Sequence, residues 1–399
     1  MSDHLMATYA RLPVTFVKGE GPWLWDEAEH IYLDALSGIG VCGLGHAHPA
    51  VAEALAQQAR TLVHTSNLYR IPLQERLAER LCRLAQMERA FFCNSGAEAV
   101  EAALKLARLH GHRKGIAEPA VIVMENSFHG RTLATLSATG NRKVQAGFEP
   151  LVKGFIRAPY DDIEALEAIA RNTPDVAAVL LEPVQGEGGI NVPSAGYLAA
   201  VRELCDRQGW LLMLDEVQTG VGRTGKWFAC QHFDVRPDVL SVAKGLGNGV
   251  PIGACLARGE AASLFTPGSH ATTFGGNPLA CSAALAVLDV IEKEDLLARA
   301  TTLGKSICTG LRESLGAHPA LREVRGLGLM IGIELNLPCD GLVQNALAHR
   351  LLLSVQAGRV IRLLPPLILG DEDAYQLVSI LNTVIREFAQ ACAPEPVND

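Results

Sequence analysis

An α/β fold built on a mostly parallel central sheet is what this 399-residue sequence predicts. Three observations lead there. Short, nearly continuous apolar runs recur through the middle of the chain, as strands covered on both faces require. Helical patterns lie between several of these runs. Many of the 38 glycines cluster where the runs end, in the loops such a protein needs.

Taken in order, the candidate strands are "AFFCN" (90–94), "AVIVME" (120–125), "VAAVLLEP" (176–183), "WLLMLDEV" (210–217), "DVLSVA" (238–243) and "IGACLA" (252–257). The candidate helices among them are "GAEAVEAALKLARLHG", "DDIEALEAIARN" and "GYLAAVRELCDRQG". The two ends of the chain differ. Residues 11–45, with "WLWDEAEHIYLDAL", read as short strands and turns. Beyond about residue 290 come helices, then "VRGLGLMIGIEL" and "RVIRLLPPLIL", and last the amphipathic helix "AYQLVSILNTVIREFAQ". These predict a smaller α+β domain assembled from both ends, residues 1–50 and 291–399, beside a large domain of residues 51–290.

Composition narrows the function. With 49% apolar and 20% charged residues the chain is ordinary globular material. Its 35 Lys and Arg against 43 Asp and Glu leave a net charge of −8, which argues against nucleic acid or an anionic membrane as partner. No apolar stretch approaches the ~20 residues of a membrane-spanning helix. "MSDHLMATYARLPVTF" has an early acid and no long apolar core, so it does not read as a signal peptide, and a cytoplasmic protein is expected. The ten cysteines are scattered without C-x-x-C or metal spacing, as buried thiols in a reducing compartment would be. "GHAHP" puts His46 and His48 close together, but no third ligand lies at a sensible spacing. It reads as a loop entering the helix "PAVAEALAQQAR", and no metal is expected.

Five stretches carry chemistry. In "NSGAEAVEAALKLAR" (94–108), Ser95 and Glu98 form a capping box at a helix start. Gly96 lets a ligand approach the backbone, so the free amides offer a phosphate site, although an ordinary capped helix reads the same way. In "ENSFHGRT" (125–132), Phe128, His129 and Arg131 follow a strand end and suggest a stacking face beside a carboxylate receptor. "WLLMLDEVQTGVGRTG" (210–225) ends an apolar strand in Asp215 and Glu216, which is costly unless something cationic meets them. Gly220, Gly222 and Gly225 in the same stretch match the dinucleotide fingerprint G-x-G-x-x-G. That keeps an NAD-dependent dehydrogenase as an alternative, but "DEVQT" intervenes before the glycines and no convincing helix follows them. In "DVLSVAKGLGNGVPIGA", Lys244 ends an apolar strand in a nearly charge-free stretch. Desolvation there favours the neutral amine, as a Schiff-base lysine needs. In "TTFGGNPLA", Thr272 and Thr273 precede glycines and a candidate helix start, a pattern that says little alone. A phosphate cradle, a stacking aromatic, a buried acid and a strand-end lysine together suit pyridoxal phosphate.

With these motifs the sequence resembles the class III, fold-type I, pyridoxal-phosphate-dependent aminotransferases. The resemblance runs the length of the chain through "GLGHAHPAV", "NSGAEAVEAALKLAR", "SFHGRT", "LEPVQGEGG", "LLMLDEVQTGVGRTG", "SVAKGLGNGVPIGA", "TTFGGNPLA" and "VIRLLPPL". It implies that Lys244 carries the cofactor and that Asp215 pairs with its pyridine nitrogen. It implies cofactor contacts from the amides of Gly96 and Ala97, the stacking ring of Phe128, and Val217 and Gln218; Glu216 is counted with them. Ala97 stands where the family often has threonine, which removes a hydroxyl contact. Thr273 matches a threonine that reaches the phosphate of a neighbouring subunit, implying a homodimer with shared active sites. Arg131 and Thr272 match substrate-binding positions. Glu187 and Arg362 match a pair in which the acid covers the arginine for one substrate and releases it for another. Within the family the resemblance favours members that transfer the terminal amine of N2-acetylornithine to 2-oxoglutarate, giving N-acetylglutamate 5-semialdehyde and glutamate in arginine biosynthesis. Succinyldiaminopimelate, in lysine biosynthesis, is a further substrate the resemblance allows. Ornithine, succinylornithine and 4-aminobutyrate are the alternative donors.

Overall fold

The computed structural model describes residues 4–392. Strands β4 (Arg89–Cys93), β5 (Ala120–Met124), β6 (Phe155–Ala158), β7 (Val176–Leu181), β8 (Leu211–Asp215), β9 (Val239–Val242) and β10 (Gly253–Ala257) form one seven-stranded sheet in the order β4-β10-β9-β8-β7-β5-β6. Pairings β5–β6, β5–β7, β7–β8 and β8–β9 are parallel, whereas β10 runs antiparallel to both neighbours. The mostly parallel sheet read from the sequence is therefore present, with β6 added at one edge. "FIRA" escapes a search for apolar runs because it is four residues long, only partly buried and carries Arg157.

Strand alternation explains the layering. Ile122, Val179, Leu212 and Leu240 face one side, against Leu198, Val201 and Leu204 of the helix Tyr197–Gln208. Val121, Val123, Leu180 and Met213 face the other, against Val100, Ala103 and Leu104 of the helix Gly96–Arg113. Both faces are dry, which is why these strands read as unbroken apolar runs. Each aliphatic side chain so buried contributes about 1.5–3 kcal/mol.

The chain ends build two smaller sheets. Strands β1 (Phe16–Glu20), β2 (Trp23–Asp26) and β3 (Ile31–Asp34) form an antiparallel meander, and β3 pairs in parallel with β13 (Leu351–Leu352). Strands β11 (Leu321–Leu327), β12 (Met330–Leu335), β14 (Ser354–Gln356) and β15 (Val360–Leu363) make an antiparallel sheet in the order β11-β12-β15-β14. "VRGLGLMIGIEL", one run in the sequence, is a hairpin that turns at Gly328, whose φ is 57°. After β3 the chain winds left-handed through Ser37, Gly38, Ile39 and Gly40, with φ between 50° and 75°. A left-handed backbone disfavours L-residues such as Ile39, so this turn is imposed by its surroundings. No helix among the described residues is long and apolar enough to cross a membrane, and none of their His, Cys, Asp and Glu groups clusters as a metal site.

Candidate active site

Five loops leave the same edge of the large sheet, at the carboxyl ends of β4, β5, β7, β8 and β9, and enclose a cavity of about 410 Å³. Such a carboxyl edge is where open α/β sheets bind ligands. Gly96, Ala97, Phe128, Arg131, Asp215, Val217, Gln218 and Lys244 all line it.

The β4 loop delivers the helix start. Ser95 Oγ accepts from the Glu98 amide at 3.2 Å, and Glu98 accepts from the Asn94 amide at 2.8 Å. The cap spends Glu98's amide and leaves those of Gly96 and Ala97 for an anion. Glycine is required at 96, because a Cβ would stand 2.6 Å from Val217 Cγ1.

The β8 loop delivers Asp215. Its Oδ1 accepts from the Val217 amide at 3.0 Å, and its Oδ2 lies 2.8 Å from His129 Nδ1. His129 Nε2 is buried and has no partner among the described residues. A buried polar atom left unpaired in an otherwise satisfied site marks a place prepared for something else. Three residues after Asp215, Gln218 Oε1 accepts from Arg362 Nη1 at 3.3 Å.

The β9 loop delivers Lys244. Its backbone is left-handed at φ 42°, a strained conformation for a lysine. Burial, and next the nearby Arg362 charge, push its amine down from 10.5 to about 8, against the opposing pull of Glu187, Asp215 and Glu182. A lysine so placed keeps a usable fraction of neutral, nucleophilic amine near neutrality.

Glu182, at the end of β7, also lines the cavity and is only 6% exposed. It accepts from the amides of Phe128 (3.2 Å) and Gly186 (3.1 Å), and burial raises its carboxyl to about 7. The sequence reading did not single it out, although "VAAVLLEP" ends in a buried acid just as "WLLMLDEV" does. The His129–Asp215 contact was equally out of reach, since its partners are 86 positions apart.

The remaining expected residues fall outside the cavity lining. Glu187 and the fully buried Arg362 form an ion pair at 2.5 Å just behind Gln218. Gln356 lies between them; with its side-chain amide turned so that Nε2 faces Glu187, it donates to Glu187 Oε2 at 3.0 Å and accepts from Arg362 Nη2 at 2.8 Å. Glu216 does not join the cavity: its carboxylate accepts from Thr219 Oγ1 (2.5 Å) and from the amides of Ala229 and Cys230 (both 2.8 Å). It points the opposite way from Asp215, as successive residues at a strand end do. Thr272 and Thr273 line an adjoining, more polar cavity of about 980 Å³ with Asn67, Leu68 and Phe274; Asn94 lines both cavities and its Nδ2 donates to Thr272 Oγ1 at 3.5 Å. Neither Thr272 nor Thr273 lines the cavity that holds Lys244. Arg131 sits with its guanidinium 5.7 Å from the centre of the Phe128 ring. The glycine triplet Gly220, Gly222 and Gly225 opens no helix along a phosphate; a Cβ on Gly225 would strike Thr301, so these glycines serve close packing.

The donor set fits pyridoxal phosphate. Free helix-start amides suit its phosphate, an acid backed by a histidine suits its ring nitrogen, Phe128 and Val217 supply apolar contact, and Lys244 faces the same cavity.

Comparison with known proteins agrees with this geometry. The family model "Aminotransferase class-III" matches residues 5–385. An acetylornithine aminotransferase of Nitrosomonas europaea is 59% identical over 389 residues, 98% of this chain and 99% of that one. The solved acetylornithine aminotransferase of Elizabethkingia anophelis is 37% identical, with a TM-score of 0.86 and 96% of each chain covered. An ornithine aminotransferase of Toxoplasma gondii, described with partial occupancy of PLP at its active site, is 36% identical with a TM-score of 0.93, covering 97% of this chain and 93% of that one.

Proposed function

Because the chain belongs to the class-III aminotransferases, we propose that it transfers the terminal amine of N2-acetylornithine to 2-oxoglutarate, forming N-acetylglutamate 5-semialdehyde and glutamate. Its cofactor is pyridoxal 5′-phosphate, which when bound supplies an electron-withdrawing ring that spreads the charge left on a substrate carbon after proton loss. Lys244 would hold the cofactor between turnovers and, once free, would take up and return the proton at the substrate's amine-bearing carbon. Asp215 keeps the ring nitrogen protonated. His129 fixes Asp215, and Glu182 closes the same wall by bonding the Phe128 amide. The amides of Gly96 and Ala97 hold the phosphate, Phe128 stacks, and Val217 and Gln218 pack at the ring. Arg131 receives the carboxylate far from the reacting carbon.

The observation that carries the substrate reading is the Glu187–Arg362 pair. Glutamate has a carboxylate on its reacting carbon and the acetylornithine side chain has none. A fixed cation would serve the first and stand unpaired with the second, which is costly in a dry site. Glu187 neutralises Arg362 for the ω-amine and moves aside for glutamate, which then takes a bidentate contact.

Steady-state kinetics on a panel of N2-acetylornithine, succinyldiaminopimelate, ornithine, succinylornithine and 4-aminobutyrate, with 2-oxoglutarate as acceptor, tests this. N2-acetylornithine should give the highest kcat/KM. A roughly tenfold advantage for ornithine or 4-aminobutyrate, about 1.4 kcal/mol of transition-state preference, would reassign the enzyme.

We also propose a cytoplasmic homodimer in which Thr273 reaches the partner's phosphate, with Thr272 contributing to substrate binding. Exposed Leu62, Val63, Leu68, Tyr69 and Phe274 form an apolar surface around the threonine cavity, which supports a partner there. The division into residues 1–50 with 291–399, and 51–290, belongs to the same reading; the pairing of β3 with β13 supports it.

A further inference from the structure

Arg362 has a counterpart in the same sheet. In register, Arg325 of β11 pairs with Gly332 of β12, and Gly332 pairs with Arg362 of β15. Directly paired residues project from one face, so the two arginines stand on either side of a glycine gap. Ile190, from the loop that carries Glu187, fills that gap: a Cβ on Gly332 would lie 2.9 Å from Ile190 Cβ. Ile190 is fully buried, packed with Val184, Met330 and Leu364.

Arg362 takes the loop's side chain at Glu187, and Arg325 takes its backbone. Arg325 Nη2 donates to the Gly189 carbonyl at 2.7 Å and Nε to the Ile190 carbonyl at 2.9 Å. Its remaining Nη1 meets Glu334 at 2.5 Å and Glu323 at 2.9 Å, which aims the guanidinium. The loop needs such a clamp. Gly189 has φ 112° and Ile190 φ 56°, the latter a left-handed backbone that a β-branched residue adopts only when forced. On its other flank the loop closes on itself between Gln185 and Asn191, and Gln185 Nε2 holds the Glu125 carbonyl at 2.7 Å. Glu187 is thus carried on a short strained segment fixed at both ends, with its carboxylate set against Arg362.

We infer that Arg325 is a positioning residue for substrate choice: by clamping the Gly189 and Ile190 carbonyls it sets how firmly Glu187 covers Arg362, and so the balance between ω-amine and glutamate. This rests on the reading of Glu187 and Arg362 as a switch. Loosening the clamp lets the strained loop relax, uncovers Arg362 more often, and favours the substrate with a carboxylate on its reacting carbon.

The test measures single-turnover specificity constants of the holoenzyme with N2-acetylornithine and with glutamate, for Arg325→Lys, Glu187→Gln and the double variant. A lysine reaches one carbonyl at a time, and Glu334→Gln, which loosens the guanidinium while also weakening the Arg322–Glu334 pair, replaces it if Arg325→Lys does not fold. Amide hydrogen exchange across residues 186–191 is followed in parallel. Arg325→Lys should shift the glutamate-to-acetylornithine ratio by roughly tenfold toward glutamate, the scale of one charge-assisted hydrogen bond, and should speed exchange in that segment. In the double variant the ratio should match Glu187→Gln alone, since both changes act through one group. If Glu187→Gln shifts the ratio while Arg325→Lys slows both substrates equally, Arg325 is scaffold only: the inference falls and the switch stands. Additive shifts in the double variant also overturn it. An unchanged ratio in Glu187→Gln defeats the switch reading itself, and the inference with it.

Discussion

Lys244 shows how much chemistry depends on the surroundings of one side chain. Its amine, ordinarily near 10.5, is brought to about 8 mainly by burial. The nucleophilic form is the neutral one, so below about 8 its population falls tenfold per pH unit. Covalent capture of pyridoxal phosphate by the apoprotein should therefore rise steeply from pH 6 to about 8 and then level off. A rate still climbing beyond pH 10 would mean an unperturbed lysine. The sign for stability follows from the same shift. Between about 8 and 10.5 the unfolded chain binds the extra proton, so the folded apoprotein gains stability as pH rises through that window. The residue scale is also where the sequence was most legible. A lysine or acid that ends an apolar run is visible without a structure because burial makes it expensive, which is how Lys244 and Asp215 stood out. The sequence marks His129 but not its contact with Asp215, and Arg325 looks like an ordinary polar residue until distant partners meet it.

At the scale of elements, the turn from β4 into the helix Gly96–Arg113 is a tight fit in the cavity. Gly96→Ala would place a methyl 2.6–2.8 Å from the Val217 methyls, pushing either Val217 or the helix start out of place. Overpacking of this kind costs about 1–3 kcal/mol. Cofactor affinity should drop several-fold or more by titration of the apoprotein, and adding Val217→Ala should restore much of it. If Gly96→Ala alone binds cofactor as tightly as the parent, the turn is roomier than this packing implies. Elements with both faces buried were read correctly because their sequence has one character throughout. What escaped is decided by tertiary context: β6 is a short edge strand, β10 was read as a strand but its reversed direction has no local sign, and the left-handed turn at Ser37–Gly40 contains two residues that avoid that conformation.

For the whole molecule, the informative fact is that Thr273 lines the adjoining cavity rather than the one that holds Lys244. Thr273→Ala should weaken cofactor binding by about 1.5–3 kcal/mol, as for a lost hydrogen bond to a charged group. Mixing Lys244→Ala with Thr273→Ala subunits distinguishes the chains. The heterodimer then has one site with both lesions and one with neither, and the latter should bind cofactor like the parent. Affinity matching the Thr273→Ala homodimer would place the threonine in its own chain's site.

The pairing of β3 with β13 also sets a timetable for biogenesis. Arg350 and Tyr32, which bond beside that pairing, are separated by 318 positions. At roughly 5–20 residues per second, a ribosome needs on the order of 15–60 s to deliver the second after the first. Throughout that interval the amino-terminal meander is made but lacks its fourth strand, with one edge of β3 open. A nascent chain halted before residue 351 should therefore expose that edge to chaperones or to other nascent chains, however complete its central sheet.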